Sequence, residues 1–324
     1  MLELSAQKLQ PSRDIIFGYV DMIFLPEIAT IEGALFDGTI YVYMNGVQLT
    51  FYGHRTSTVL IRFIEQLKPN PHVTLETRQH IRAFEDIDKV KVIAFYDKNK
   101  TGYKYYIEAS KHFQPYITFY VVHNEKLANH MNLRSSGSIF VYKPHQKKVK
   151  LAKKQVSSCA DIINFIHRNS RPVLKQLTMD DLHYVWMMNP KSKLYVAFIG
   201  NNSTTTATRA TTAIPFFTIL KKLAQSYENN EDITFVWIDP QSYPSMKDYW
   251  ALTYSVDIQV PSIGSLNMTT RETVWFNMTS LAPIRSDVKT TVKQIRFWIN
   301  DKNISTQPGN ATTPAGEPAI PWIN

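Results

Sequence analysis

Apolar positions along this chain follow two alternating rhythms: short runs of strand length, and stretches in which they recur every three or four residues. Arg13–Val20 is an apolar run of strand length, and a helical stretch follows at Ile28–Leu35. Thr39–Met44 alternates as a strand, Asn45-Gly46 reads as a hairpin turn, and Gln48–Tyr52 is the returning strand. A helix over Thr56–Leu67 places Val59, Leu60, Phe63, Ile64 and Leu67 on one face. Lys68-Pro69-Asn70-Pro71 ends it, because proline cannot continue a helix.

The pattern then restarts. Strands are expected at Val73–Glu76, Lys91–Tyr96, Ile117–Val122 and Ser138–Tyr142. Helices are expected between and after them, at Arg78–Ile87, Tyr103–Phe113, Glu125–Leu133 and Ala160–Asn169. A third block begins near Arg171-Pro172, with helices at Met179–Trp186, Ala213–Glu228, Pro244–Tyr254 and Val288–Asn300. Its strands are Leu194–Ile199 and Ile233–Ile238, with a hairpin from Ser262–Met268 and Thr273–Met278. The second and third blocks share the order β-α-β-α-β-α-β-β-α, and the first shows only its later part. Strands separated by helices imply parallel pairing, and a final hairpin adds antiparallel edges. That order is an α/β, thioredoxin-like fold in tandem: three domains, the first incomplete. The expected boundaries are 1–69, 70–170 and 171–302, with a disordered Pro/Thr-rich tail over 303–324.

Composition narrows the function. The chain has 324 residues, 44% hydrophobic, as in a globular protein. No run is long enough for a transmembrane helix, and the N-terminus has no signal-peptide core. Cys159 is alone, which excludes an intrachain disulfide and a CxxC redox centre. It reads as a buried thiol at the start of an amphipathic helix, with an intermolecular disulfide as the alternative. Nine histidines fit no metal-ligand spacing, and no phosphate-cradling loop is present. The Lys143, Lys147, Lys148, Lys150, Lys153 and Lys154 cluster has no aromatic stacking platform beside it. It reads as a solvated hairpin and loop, and no nucleic-acid partner is expected.

Ala83–Ile87 (AFEDI), Lys111–Phe119 (KHFQPYITF) and Thr234–Pro240 (TFVWIDP) stand out as motifs, with Asp248-Tyr249-Trp250, Val260–Thr269 (VPSIGSLNMT) and Val274–Met278 (VWFNM) after them. On these segments the chain resembles the calsequestrin family, the calcium store of the sarcoplasmic reticulum lumen, and the resemblance covers nearly the whole chain. The resemblance implies a non-catalytic lumenal protein of the endoplasmic or sarcoplasmic reticulum. It also implies calcium binding, homo-oligomers and lumenal partners, and the excess of Lys and Arg suits acidic ones among them. Against the family's pattern, the leading strands of the first domain and the acidic tail are missing. The expectation is an open sheet edge, in a truncated form or one that a partner covers. The net charge is +9, from 36 Lys and Arg against 27 Asp and Glu, which would weaken calcium binding. Glu85, Asp86 and Asp88, then Glu231 and Asp232, are the closest acidic groupings and the candidate metal ligands.

Thioredoxin-fold enzymes need a thiolate after the first core strand. Asp97–Tyr103 and Gly200–Thr206 stand there without cysteine, so no enzyme is expected. Pro261 stands where such folds place a cis-proline. Sequons occur at Asn201, Asn202, Asn267, Asn277, Asn303 and Asn310, pointing to glycosylation in the secretory pathway. The alternative reading is a redox-inactive chaperone resembling protein disulfide isomerase. Tyr103, Tyr105, Tyr106 and Phe113 would line its client cleft, or else form a buried helix face.

Overall fold

The hydrophobic rhythm of residues 1–67 folds into α1 (Leu2–Leu9), α2 (Pro26–Ile31), the hairpin β1 (Tyr41–Met44) and β2 (Val47–Thr50), and α3 (Ser57–Gln66). The structure, a computed structural model, describes residues 1–9, 15–34, 38–151, 156–184, 193–200, 207–230, 232–268, 270, 272–280 and 288–301. Asn45 and Gly46 take φ of 52° and 77°, the left-handed pair that a two-residue hairpin turn needs. Pro26 opens α2 two residues before the expected start, since its missing N–H is one the first turn leaves unbonded anyway. Residues 15–20 correct the sequence reading. They carry no regular structure, although their composition is that of a strand. Arg13 and Asp14 lie outside the described residues.

From His72 onward the expected order is observed. β3 (His72–Thr74), α4 (Arg78–Asp86), β4 (Lys91–Phe95), α5 (Thr101–Lys111), β5 (Thr118–Val122), α6 (Glu125–His130), β6 (Ser138–Tyr142), β7 (Val149–Leu151) and α7 (Cys159–Asn169) follow one another. The sheet order is β3-β5-β4-β6-β7. β3, β5 and β4 run parallel, and the β6–β7 hairpin is antiparallel to β4. All five residues of β4 are buried. Period-two alternation divides its four apolar residues between two cores. Val92 and Ala94 pack with Tyr106 and Ala109 of α5 and with Ile162 and Ile166 of α7. Ile93 and Phe95 pack with Ile81 and Phe84 of α4 and with Ala128 of α6.

This block also grips the first. The Tyr116 hydroxyl accepts the Tyr52 N–H at 2.7 Å, and Gln114 Oε1 accepts the Lys68 N–H at 2.8 Å. The Tyr116 ring lies 5.0 Å from Tyr52 and 5.7 Å from Phe63. The clasp follows a cis Gln114–Pro115 bond. Residues Met1–Pro172 form one compact unit, and Val173–Asn324 form the other.

The second unit repeats the plan. β8 (Leu174–Gln176), β9 (Lys193–Phe198), β10 (Ile233–Ile238), β11 (Ser262–Asn267) and β12 (Thr273–Trp275) make a sheet of order β12-β11-β9-β10-β8. The helices Ala207–Ser226 and Val288–Asn300 cover one face, and Lys247–Tyr254 the other. Gly264 is required where it stands. A Cβ there would come within 2.5 Å of the Trp275 ring, which stacks on Phe198 and donates its Nε1–H to the Tyr254 carbonyl. Of the expected helix at Met179–Trp186, residues 179–183 form turns and Tyr184 is helical. Asp181 accepts the Thr178 N–H and hydroxyl just ahead of it. Val185 and Trp186 lie outside the described residues. Val260–Pro261 is cis, as its position suggested.

Helix α7 starts on a capping box. Asp161 accepts from the N–H groups and hydroxyls of Ser157 and Ser158, and Ser158 Oγ accepts the Asp161 N–H. Those hydrogen bonds favour the ionised carboxyl and hold its pKa at about 2, below the ordinary 3.8. A depressed carboxyl stabilises the fold above its ordinary pKa, and that contribution is lost as pH falls towards 2. The Asp161→Asn variant is therefore expected to melt below the parent chain at neutral pH. Melting temperatures followed from pH 7 downward should converge as the pH drops through the carboxylate range. A pH-independent gap would show that the charge is not what holds this helix start.

Candidate functional site

The carboxyl ends of β4 and β5, with the start of α5, form the position where this fold can carry chemistry. Tyr96–Lys100 connects β4 to α5 and presents Asp97, Lys98, Asn99 and Lys100, all exposed. Lys100 stands at the helix start and makes no side-chain cap. Tyr103, in the first turn of α5, contacts two imidazoles. Its ring meets His123 edge-on at 5.2 Å, and its hydroxyl lies 3.4 Å from His72 Nε2. His123 Nδ1 donates to the Tyr96 carbonyl at 2.6 Å. His72 Nδ1 is buried with no hydrogen-bond partner.

Electrostatics here suppress reactivity. Burial lowers the His72 pKa and nearby His123 lowers it further, so His72 is neutral at pH 7. Burial pushes the Tyr96 phenol up to about 12. No thiol is near. Cys159 is half-buried at the first position of α7, where burial chiefly, and Glu108 secondarily, raise its pKa. A thiol so placed is a weak nucleophile. In the second unit the matching connection leaves β9 through Ile199 and Gly200, and residues 201–206 lie outside the described ones. Asp239, after β10, is buried and accepts from the Gln241 N–H and the Ser242 hydroxyl, as a turn residue does.

The four aromatic residues of α5 and its following turn form a helix face directed into the core, not a cleft. Tyr106 is fully buried and donates its hydroxyl to the Tyr120 carbonyl at 2.7 Å. Phe113 stacks on Phe119, and Tyr103 and Tyr105 pack against the same core.

The acidic candidates surround a cation that the chain itself provides. Glu85 and Asp86 close α4, Asp88 follows, and all are exposed. Lys91, only 5% exposed, extends from β4 beneath them. Its ammonium donates to the carbonyls of Phe84, Ile87 and Glu85 and lies 4.3 Å from the centre of the Phe84 ring. It thus caps the end of α4, where the helix dipole favours positive charge. Burial lowers the Lys91 pKa, and Asp88, Glu85 and Asp86 oppose that shift. Asp88 also lies 3.4 Å from His145 Nε2. In the second unit Asp232 is exposed and donates its N–H to Asn230 Oδ1. Glu231 lies outside the described residues. Among the described residues no group of three or more His, Cys, Asp and Glu side chains is arranged to hold a metal ion.

The basic hairpin is less solvated than its sequence suggests. Lys148 is half-buried, with its ammonium 4.5 Å from the Phe140 ring centre and donating to the Met131 carbonyl. Lys147 and Lys150 are exposed, and Lys153 and Lys154 lie outside the described residues.

Two sequons can be placed. Asn267 ends β11 and Asn277 follows β12, both exposed. Thr279 donates both its N–H and its hydroxyl to Asn277 Oδ1, at 3.1 and 2.7 Å. Asn201, Asn202, Asn303 and Asn310 lie outside the described residues.

Residues 1–307 match the family model for calsequestrin, and the chain belongs to that family. Among solved structures it is similar to human ERp44 form I, at 14% identity and a TM-score of 0.57. That match covers 96% of this chain and 79% of ERp44. The bb fragment of ERp72 matches at 14% identity and a TM-score of 0.53, covering 71% of this chain and 97% of the fragment. At such identity these likenesses establish a shared thioredoxin-like fold. No described helix is long and apolar enough to cross a membrane.

Lys91→Met keeps the apolar stem and removes the donors, leaving buried carbonyls at the end of α4 unbonded. A destabilisation of about 2 kcal/mol is expected in urea unfolding. A loss below about 0.5 kcal/mol, the size of an ordinary surface change, would rule out the capping role.

Proposed function

Starting from membership of the calsequestrin family, we propose that this chain is a non-catalytic protein of the endoplasmic or sarcoplasmic reticulum lumen. Its tandem thioredoxin-like domains, over 1–69, 70–170 and 171–302, act as an interaction scaffold, and its calcium binding is weak. The observation that carries this reading is the charge balance: 36 basic against 27 acidic residues on a fold of this family. Calcium requires six to eight oxygen ligands, several of them carboxylates. Many weakly held ions further require a strongly negative surface, which a net charge of +9 does not supply. The acidic group at Glu85, Asp86 and Asp88 already faces the Lys91 ammonium, so a calcium ion there meets a resident positive charge. The basic surface instead suits acidic lumenal partners. The absence of a thiolate at the β4 end supports a non-catalytic role.

A second reading, a redox-inactive chaperone resembling protein disulfide isomerase, is favoured by one observation. Ile16, Tyr19, Ile23, Phe24 and Ile31 are each more than 80% exposed on the first segment, an apolar surface that soluble chains rarely leave open. Suppression of client aggregation, independent of calcium, would favour it over the scaffold.

Equilibrium dialysis against calcium is expected to find a few ions per chain, with dissociation constants of roughly 10⁻⁴ to 10⁻³ M. Binding of tens of ions would overturn the charge argument. Expression through a secretory pathway, followed by peptide-N-glycosidase treatment, tests the compartment. Asn267→Gln and Asn277→Gln should each remove one glycan from the product. An unglycosylated product would refute the assignment of these sequons.

A further inference from the structure

The two five-stranded sheets share one plan, but the helices that cover them differ in charge. In the second unit one face lies under the helices Ala207–Ser226 and Val288–Asn300. The first contains Arg209, Lys221 and Lys222, the second Lys289, Lys293 and Arg296, and neither contains an acidic residue. The other face lies under Lys247–Tyr254, where Asp248 accompanies Lys247. The fold does not require this asymmetry. α5 and α7 cover the matching face of the first sheet, and there Lys104, Lys111 and Arg168 stand with Glu108 and Asp161.

The cations of the second unit face solvent. Val288–Asn300 buries Thr291, Val292, Ile295, Trp298 and Ile299. Lys289, Lys293, Arg296 and Asn300 recur at the helical period and form one exposed stripe. The stripe borders the neighbouring helix. Tyr227, just past the end of Ala207–Ser226, donates its hydroxyl to Asn300 Oδ1 at 2.7 Å. Burial raises the Tyr227 pKa, and the Arg296 guanidinium nearby opposes that shift. Lys222 is exposed on the same helix layer. Among the described residues Lys222, Lys293 and Arg296 enter no ion pair. Beside the stripe Phe297 is 74% exposed, and Asp301 follows the helix end.

We propose that this helix face binds an extended acidic segment of another protein, rich in Asp and Glu, with an aromatic side chain of that segment packing on Phe297. This docking site rests on the scaffold reading above, in which the basic surface serves acidic partners, and it gives that surface a place. Spacing suits the occupant. Cations one turn apart on a helix are separated by about 6 Å along its axis. Alternate side chains of an extended chain are separated by about 7 Å. Carboxylates at every second position can therefore meet Lys289, Lys293 and Arg296 in turn. A bilayer surface fits less well. An interfacial helix inserts a whole apolar face, whereas here that face is packed in the core and Phe297 is the apolar group left outside. Attraction between exposed charges is screened by salt, so the affinity falls as ionic strength rises.

A fluorescein-labelled peptide of Asp and Glu with one central tryptophan serves as the probe, titrated with the full chain and followed by anisotropy. Saturable binding that weakens with added salt is expected. Lys222→Glu and Lys293→Glu alter exposed positions, and each should weaken binding about tenfold. Phe297→Ala should weaken binding of this peptide but not of one with alanine in place of the tryptophan. Lys147→Glu with Lys150→Glu, in the β6–β7 hairpin, should leave binding unchanged. Binding lost in the hairpin variant and kept in the helix variants overturns this docking site while leaving acidic partners in place. No saturable binding by the parent chain overturns both. Tighter retention on phosphatidylserine vesicles, or on a single-stranded oligonucleotide, than on the peptide also overturns the proposal.

Discussion

Burial of one strand on both faces is the constraint on which each sheet depends. β4 has no residue that reaches solvent, and β9 is nearly as enclosed. Such a strand must be apolar along its length, apart from a lysine at its start, must be hydrogen-bonded along both edges, and must be covered by helices above and below. Each requirement recruits other elements. The edges recruit β5 and β6, and the faces recruit α5 with α7 and α4 with α6. The central strand thus feeds both cores, as do its neighbours β5 and β6. The first segment keeps helices and a hairpin, and its apolar run 15–20 pairs with no strand among the described residues.

This explains what the amino-acid order revealed and what it concealed. Helices such as Val288–Asn300 and strands such as Ile233–Ile238 were legible to the residue, since their periodicity is local and strong. The hairpin turn at Asn45-Gly46 was legible because its residue types answer a backbone requirement. Residues 15–20 were misread because a strand is defined by its neighbour, and composition reports nothing of whether a neighbour exists. β7 (VKL) and β8 (LKQ), of three residues each, were missed because a lysine interrupts or follows their few apolar residues. The clasp of Gln114 and Tyr116 on the first segment was hidden for the same reason as the ladder: its partners, Lys68 and Tyr52, are 46 and 64 residues away.

The candidate site was legible in its identities but not in its geometry. The acidic residues at 85, 86 and 88 could be read as a ligand cluster only while Lys91 was regarded as an ordinary strand lysine. Folding puts that lysine beneath them, and its carbonyl contacts give it a structural task. Lys148 tells the same story over Phe140 and Tyr142. Lys175 repeats it, bonded to Asp181 at 2.6 Å and lying over Tyr184. A signal for these roles does exist in sequence, a lysine next to an apolar strand and an aromatic residue. It is too common to distinguish a buried cap from a surface charge.

The electrostatic consequence is less a reversed field than a divided one. Lysines held against rings and carbonyls keep their charge, but their ammonium groups are fixed to the fold and are not offered to a partner. The basic surface is then the work of the exposed residues, Lys147 and Lys150 among them, rather than of the whole count. Calcium storage on this fold depends on carboxylates numerous enough to outweigh such cations, and here the acidic residues nearest one another are partly occupied in offsetting Lys91. Family membership and family activity therefore rest on different parts of the molecule. The fold is fixed by apolar alternation in the sheets, which this chain retains in two complete copies. The activity of a calcium store is fixed by a surface composition that can change without disturbing a single strand.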